Sequence, residues 1–288
     1  MRRLIVNADD FGLTSGVNRA IVELHAAGVL TSATLMAKAE ATGEAIVLAL
    51  GTPSLAVGCH VVLVDGEPVL PPRELPSLTD SRTGRFHPTL GGFLRRLLSG
   101  AIRAEEIEAE ARAQIEKLAG RIALTHVDTH KHTYMFKRVL RPVLRAARAA
   151  GISAVRNPFE PRWSRRATRD APGMRRMEVS LLSRLESSFR QIVTAEGFAT
   201  TDGAMGVLAT GTLDAATVTA LLSTMPEGTF ELVAHPGYND AALARAHTRL
   251  LASREAERTA LMAVRPFTAA TLGSFADLRS PARQTSTK

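Results

Sequence analysis

The sequence predicts an α/β fold: a single domain over residues 1–280, built as a closed or nearly closed (β/α) barrel of about seven βα units. Three observations carry that prediction. Short apolar runs alternate with amphipathic helical stretches, which implies parallel strands joined by right-handed crossovers. No glycine fingerprint of a dinucleotide-binding turn follows the strand-like runs, which argues against an open doubly wound sheet. At 288 residues the chain also has a usual length for one α/β barrel.

The elements follow in order. "RLIVNA" reads as the first strand. The helix through "GVNRAIVELHAAG" keeps Val17, Ala20, Ile21 and Leu24 on one apolar face, with Ser15 placed to cap it and Gly28 to end it. "TSATLM" is a second strand, followed by a helix over Glu44 to Leu50. "LAVGCHVVL" is a third, running into the proline-rich loop "VDGEPVLPPRELPSLTDSRTG". The helix "AEEIEAEARAQIEKLAG" sets Ile107, Ala111, Gln114, Ile115 and Leu118 on or near one face. Then come the strand "IALTHVDTH", the helix "RVLRPVLRAARAAG" with Pro142 early in it, and the strand "ISAVRNP". A helix over about Val179 to Glu196, the strand "AMGVLAT", a helix from Asp214 to Met225 and the strand "TFELVAHPG" complete the alternation. The polar tail 281–288, "PARQTSTK", is expected to be disordered.

Composition narrows the class. An apolar fraction of 45% with 22% charged residues fits a soluble globular chain, and no run approaches the roughly 18 apolar residues of a membrane-spanning helix. The start, "MRRLIVNADD", lacks the apolar stretch of a secretory signal, so a cytoplasmic location is expected. The single cysteine, Cys59, excludes an internal disulfide and a cysteine-based zinc cluster. A formal net charge of +8 asks for an acidic partner or for none. Arginines crowd the segment 162–176, which reads as a solvated loop. The sharper alternative is contact with anionic lipid headgroups at the cytoplasmic membrane face, or with a phosphate-bearing substrate. Nucleic acid is not expected, because Trp163 is the only aromatic within the segment and no nucleic-acid module occurs elsewhere.

A barrel gathers its active site from the carboxyl ends of its strands. Those ends carry Asp9 and Asp10, His60, the cluster His126, Asp128, His130 and His132, then Arg156, and finally His235. Five of the eight histidines fall there, whereas His25, His87 and His247 lie in helical or loop contexts and read as solvated. Imidazoles and carboxylates in such a group point to one divalent ion, held by about three protein ligands with a position left open. A cation also makes adjacent carboxylates at a buried strand end tolerable, because it offsets their repulsion. The strand under "HVDTHKH" is expected to fray near Thr129, so its four polar residues need not all reach one ion.

The blocks "LIVNADDFGLTSGVNRAI", "VGCHVVL", "THVDTHKHTYMF" and "ELVAHPGYND" resemble the YdjC/ChbG family of carbohydrate deacetylases, in order and spacing, over residues 3 to 240. The resemblance implies a distorted TIM-like barrel, metal binding by Asp10, His60 and His130, Asp9 as catalytic base and His235 as general acid. The residues themselves add that Asp128 or His126 could orient a ligand histidine and Arg156 could orient Asp9 or meet the sugar, that His132 could contact substrate or support the ligands, and that Tyr238 and Asp240 could equally line the pocket or serve the loop. Two imidazoles with one carboxylate favour a zinc-like ion, with magnesium as the alternative. The loop "HVVLVDGEPVLPP" with "LPSLTD" is most similar to the hopanoid-biosynthesis-associated (HpnK-type) members, which implies an N-acetylglucosaminyl hopanoid as substrate. Enzymes acting on chito-oligosaccharides tend to have a histidine where this chain has Tyr134. A homodimer is compatible with the resemblance.

The expected activity is therefore hydrolysis of an N-acetyl group from an amino sugar or glycolipid. A chito-oligosaccharide deacetylase, a metal-dependent phosphoesterase and a non-catalytic sugar-binding protein are the alternatives. A phosphoesterase would normally call for ligands to two or three ions, and simple binding would need neither Asp9 nor His235.

Overall fold

The computed structural model describes residues 1–246, 248–265, 267 and 269–278. His247 and the tail 281–288 lie outside the described residues. The strands are β1 (Arg2–Phe11), β2 (Ser32–Leu35), β3 (Ala56–Val61), β4 (Val127–Thr129), β5 (Gly203–Met205), β6 (Gly228–Ala234) and β7 (Thr271–Gly273). They form one parallel sheet in the order β4-β3-β2-β1-β6-β5. β7 pairs with Arg3–Ile5 of β1, ahead of the point where β2 joins at Asn7.

The sheet curls, and the segment 153–159 lies between its two edges. Val127 bridges Val155, Ala154 bridges Ala199, and the Ala204 N–H donates to the Phe159 carbonyl at 3.0 Å. "ISAVRNP" supplies only these isolated bridges and no ladder. Pro158 has no N–H to give, and the Asn157 side chain takes over two ladder positions, donating to the Thr201 carbonyl and accepting from the Phe159 N–H. β5 is likewise shorter than "AMGVLAT", because Gly206 turns at φ 88°.

Helices cover the outside. Leu4, Val6 and Ala8 of β1 pack into the main core beneath helix Ser15–Ala26, while Ile5 turns inward onto Ala154, Ala199 and Phe275. Thr14 caps that helix, not Ser15, by accepting from the Val17 N–H at 3.3 Å. The helix expected over 179–196 is broken into Gly173–Leu182, a 3₁₀ turn Ser183–Leu185, and Glu186–Ala195. The arginine segment expected as a loop contains helix Arg162–Ala167. Helices Leu90–Leu98, Ala241–Arg245 and Ala252–Val264 had no counterpart in the sequence reading.

Helix Ala104–Ala119 buries polar residues as well as the predicted apolar face. Glu110 accepts from the Val69 and Leu70 N–H groups, Glu106 from Ser77, and Gln114 both donates to and accepts from Val62. This ladder ties the proline-rich loop after β3 to the helix, since buried backbone groups require partners.

Candidate active site

Alternation along a strand would send Asp9 and Asp10 to opposite faces. Asp9 points inward with Ile5 and Asn7. Asp10 would point outward, but it adopts φ 64° beside a register shift between Ala8 and Phe11. That bulge swings Asp10 to the same mouth as Asp9, a use of bulges typical near sites. Asparagine and aspartate tolerate this left-handed conformation better than most residues.

Asp10 Oδ1 then stands 3.5 Å from His60 Nε2 and 3.5 Å from His130 Nδ1, and those two nitrogens are 3.3 Å apart. Ligands about 2.0–2.1 Å from a tetrahedral zinc are themselves about 3.3–3.4 Å apart, so the triangle matches one face of such a shell. Asp10 Oδ1 is buried and has no hydrogen-bond partner, while Oδ2 accepts from Arg254 Nη2 at 2.5 Å. One oxygen is anchored and the other is left for a cation.

His60 is fixed in the orientation that a ligand needs. Its Nδ1–H donates to Asp128 Oδ1 at 2.7 Å, leaving Nε2 turned to Asp10. Asp9, His60 and Asp128 form a second cluster of ligand-type atoms. There the cationic partner is already present: Arg156 donates to Asp9 Oδ2 at 2.9 Å and Oδ1 at 2.5 Å, and also contacts Asp128 Oδ2. The first cluster is the metal candidate.

Arg156 is fully buried and binds a third carboxylate, Glu231, through Nε at 2.7 Å. Burial alone would raise the Asp9 pKa, but the guanidinium outweighs it, with His60 and His235 adding to the same effect, and Asp9 stays ionised far below the usual carboxylate range. Asp10 is likewise held low against burial, chiefly by Arg254 and then His130. Glu231 moves the other way, pushed up to about 8 by burial, with Asp9 and Asp128 adding to it and Arg156 opposing. His60 is pushed up to about 9, because Asp128, Asp9 and Asp10 overcome its burial. The same three carboxylates that favour a proton there favour a metal cation. His130 is lowered by burial and so stays neutral, as a ligand must.

A model of the YdjC-like protein family matches residues 3–268. The chain belongs to this family. It is 47% identical over 148 residues to a carbohydrate deacetylase of Brevibacillus brevis, a match covering 50% of this chain and 55% of that protein. It is 41% identical over 156 residues to a chitooligosaccharide deacetylase of Escherichia fergusonii, covering 53% and 58%. The chain thus spans little more than half the length of these curated relatives. An Enterococcus faecalis crystal structure named for cellobiose-phosphate cleavage superposes with a TM-score of 0.73 at 26% identity, covering 95% of this chain and 97% of that one.

Around this YdjC-like centre the remaining expected residues divide. His235 Nε2 is 3.7 Å from Asp9 Oδ2, and the Glu257 carboxylate accepts from the His235 backbone N–H at 2.6 Å while lying 3.8 Å from Nδ1. His132 is drawn close by consecutive left-handed residues, Lys131 at φ 55° and His132 at φ 51°. Burial, with Arg156 adding to it, pushes its pKa down to about 3, so it sits there as a neutral ring.

The expectations for His126 and His25 are corrected, and for Tyr238 and Asp240 the loop alternative holds. His126 does not orient a ligand histidine. Its ring lies one layer below, opposite Gly58, stacked on Phe275 at 3.8 Å between centroids and bonded to Thr125 Oγ1. A Cβ at Gly58 would lie 2.6 Å from that ring, so glycine is what admits it. Tyr238 does not line the pocket: its ring is flanked by Arg19 and Arg258, and its hydroxyl donates to Glu23 on the first helix. Asp240 caps helix Ala241–Arg245 by accepting from the Leu243 N–H. His25 is also held, between the Leu30 carbonyl and Ser54 Oγ. Tyr134 is buried and donates to the Arg156 carbonyl at 3.0 Å.

The sequence reading missed Thr34, Glu231, Arg254 and Glu257. Glu231 had a signal, a charge inside the apolar strand "TFELVA". Thr34, which touches Asp9, His60 and Asp128, had none. Neither did Arg254 and Glu257, one helical turn apart on Ala252–Val264 and far along the chain from the residues they hold.

Proposed function

We propose that this protein is a metal-dependent hydrolase that removes the N-acetyl group of an amino sugar, with Asp10, His60 and His130 as metal ligands, Asp9 as base and His235 as acid. The observation that carries the reading is the 3.3–3.5 Å triangle of ligand atoms with Asp10 Oδ1 left unpartnered beside a separate acid–base pair. The distorted (β/α) barrel of about seven units belongs to the same reading, supported by the bridges through residues 153–159.

A divalent ion, zinc-like by its donor set with magnesium as the alternative, would supply Lewis acidity toward the acetyl carbonyl and the attacking water. The chain does the rest. Arg156, Asn7 and Thr34 hold Asp9 in one orientation and keep it ionised, ready to take the water's proton. The water oxygen joins the acetyl carbon, the C–N bond breaks, and the nitrogen leaves with a proton from His235 Nε2. Acetate and a free amine result. His235 suits the acid role because, against its burial, Glu257 and then Asp9 and Asp10 raise its pKa above that of an ordinary histidine.

That dependence gives a prediction. An acid must be protonated to act, so activity fails as the pH rises through the His235 pKa. Glu257→Gln removes the charge that raises this pKa, and the alkaline limb of the kcat–pH profile moves to lower pH, with the acid limb unmoved. A uniform drop in rate with both limbs in place would refute the pairing.

For the substrate, the names of the relatives support a chito-oligosaccharide, and the loop after β3 supports an N-acetylglucosaminyl hopanoid. The test is incubation of the purified protein with both, with and without chelator, measuring acetate and free amine. Acetate release that chelation stops and added zinc or magnesium restores is the expected result. Phosphate-ester hydrolysis without acetate, or no turnover at all, overturns it.

A further inference from the structure

Helix Gly173–Leu182 contains no buried residue, although it carries five large apolar side chains. Met174, Met177 and Leu181 are 66%, 62% and 59% exposed, the largest exposures of any apolar side chain of this size on the described chain apart from Met1, Val47 and Leu98. Their spacing of three and four residues lines them along one stripe of the helix. Glu178 borders the stripe, and the half-buried Arg175 and Arg176 turn back toward the protein, to carbonyls of Val207 and of residues 165–171. Nothing on the described chain covers the stripe.

Its surroundings are cationic. From residue 162 to 184 the chain has seven arginines and only two acids, Asp170 and Glu178. Arg162, Arg166, Arg169 and Arg184 are exposed. The segment also sits on the catalytic side of the sheet. It leaves from the carboxyl end of the 153–159 segment, and Arg175 Nη2 reaches the Val207 carbonyl just beyond the carboxyl end of β5 at 2.9 Å.

We infer that helix Gly173–Leu182 and its flanking arginines form a docking surface for an anionic lipid bilayer, with Met174, Met177 and Leu181 entering the headgroup boundary and the exposed arginines meeting lipid phosphates. An apolar stripe bordered by basic groups is the arrangement that lies in a membrane interface. A second copy of the chain is a poorer occupant, because a two-fold contact would set the same arginines against one another. The placement beside the mouth would present the active site to substrate held at the bilayer. The inference stands on this surface alone and does not depend on the deacetylase reading.

The test is sedimentation of the full chain with vesicles of phosphatidylcholine, and of phosphatidylcholine doped with phosphatidylglycerol, at low and high salt. The wild type is expected to partition onto the anionic vesicles and to be released by salt. The triple variant Met174→Ser, Met177→Ser, Leu181→Ser is expected to bind about tenfold more weakly, as is Arg166→Glu with Arg169→Glu. All of these residues are exposed, so circular dichroism should be unchanged. Equal binding to both vesicle types, or a serine variant that binds as well as wild type, overturns the inference. So does light scattering that shows a dimer which the serine variant dissolves. Acetate release from a soluble sugar is measured in parallel, so loss of vesicle binding and failure of the reaction are read separately.

Discussion

Asp9→Asn is expected to lower turnover by about a thousandfold, the scale of a lost general base, and to leave metal binding intact, if Asp9 is the base as proposed. Asp10, His60 and His130 form their triangle without Asp9, whose two oxygens are taken up by Arg156. His130→Ala behaves differently. Under the proposed assignment it removes one of three ligands, and it is expected to lose the metal and with it the activity. Metal content after dialysis, read by elemental mass spectrometry beside the steady-state rate, separates the two variants. The contrast rests on adjacent residues facing one mouth in different roles, which the left-handed turn at Asp10 permits. Equal metal loss in both variants would mean that the roles of Asp9 and Asp10 have been misassigned.

The parts of this site that were legible in the sequence share one property: they lie at the ends of strands. There an apolar run stops and a polar residue stands out against it, as at Asp9, His60, Asp128 and His235. Parity along the strand then indicates which neighbours face inward, and it fails where the backbone departs from extended geometry. It would have put Asp10 outside, and it places His126 and Asp128 on one face without saying that a layer separates them. The residues that hold the site were not legible. Arg254 and Glu257 look like ordinary polar positions of an amphipathic helix, and only the folded chain brings one to Asp10 and the other to His235. The fold divides in the same way. Long regular strands such as β1 and β6 were evident from composition, whereas the segment 153–159 reads as a strand and is held instead by an asparagine side chain and interrupted by proline.

The central arginine sets the largest effect on stability. Arg156 touches all three of Asp9, Asp128 and Glu231, and all four groups are buried. Arg156→Met keeps much of the volume and removes the charge, and is expected to cost about 3–5 kcal/mol, the range for leaving buried charge uncompensated. The loss should depend on pH in a definite direction. In the wild type, Asp9 has a folded pKa below its unfolded value, so it contributes stability at neutral pH that is lost only as the pH falls. Without the guanidinium, burial is opposed chiefly by His60 and His235, and the folded pKa of Asp9 is expected to rise above its unfolded value of about 3.9. The contribution changes sign, and the penalty grows as the pH rises from that point. Glu231, pushed up to about 8 with Arg156 present, is penalised alike in both proteins up to that pH, and its further rise in the variant adds to the loss only above it. Urea denaturation should therefore show the variant far closer to wild type at pH of about 5 than of about 8. Adding Glu231→Gln to the variant removes one of the three acids and should recover part of the difference at the higher pH. An equal loss at both pH values would mean that Arg156 acts through packing alone and that the three carboxylates do not depend on its charge.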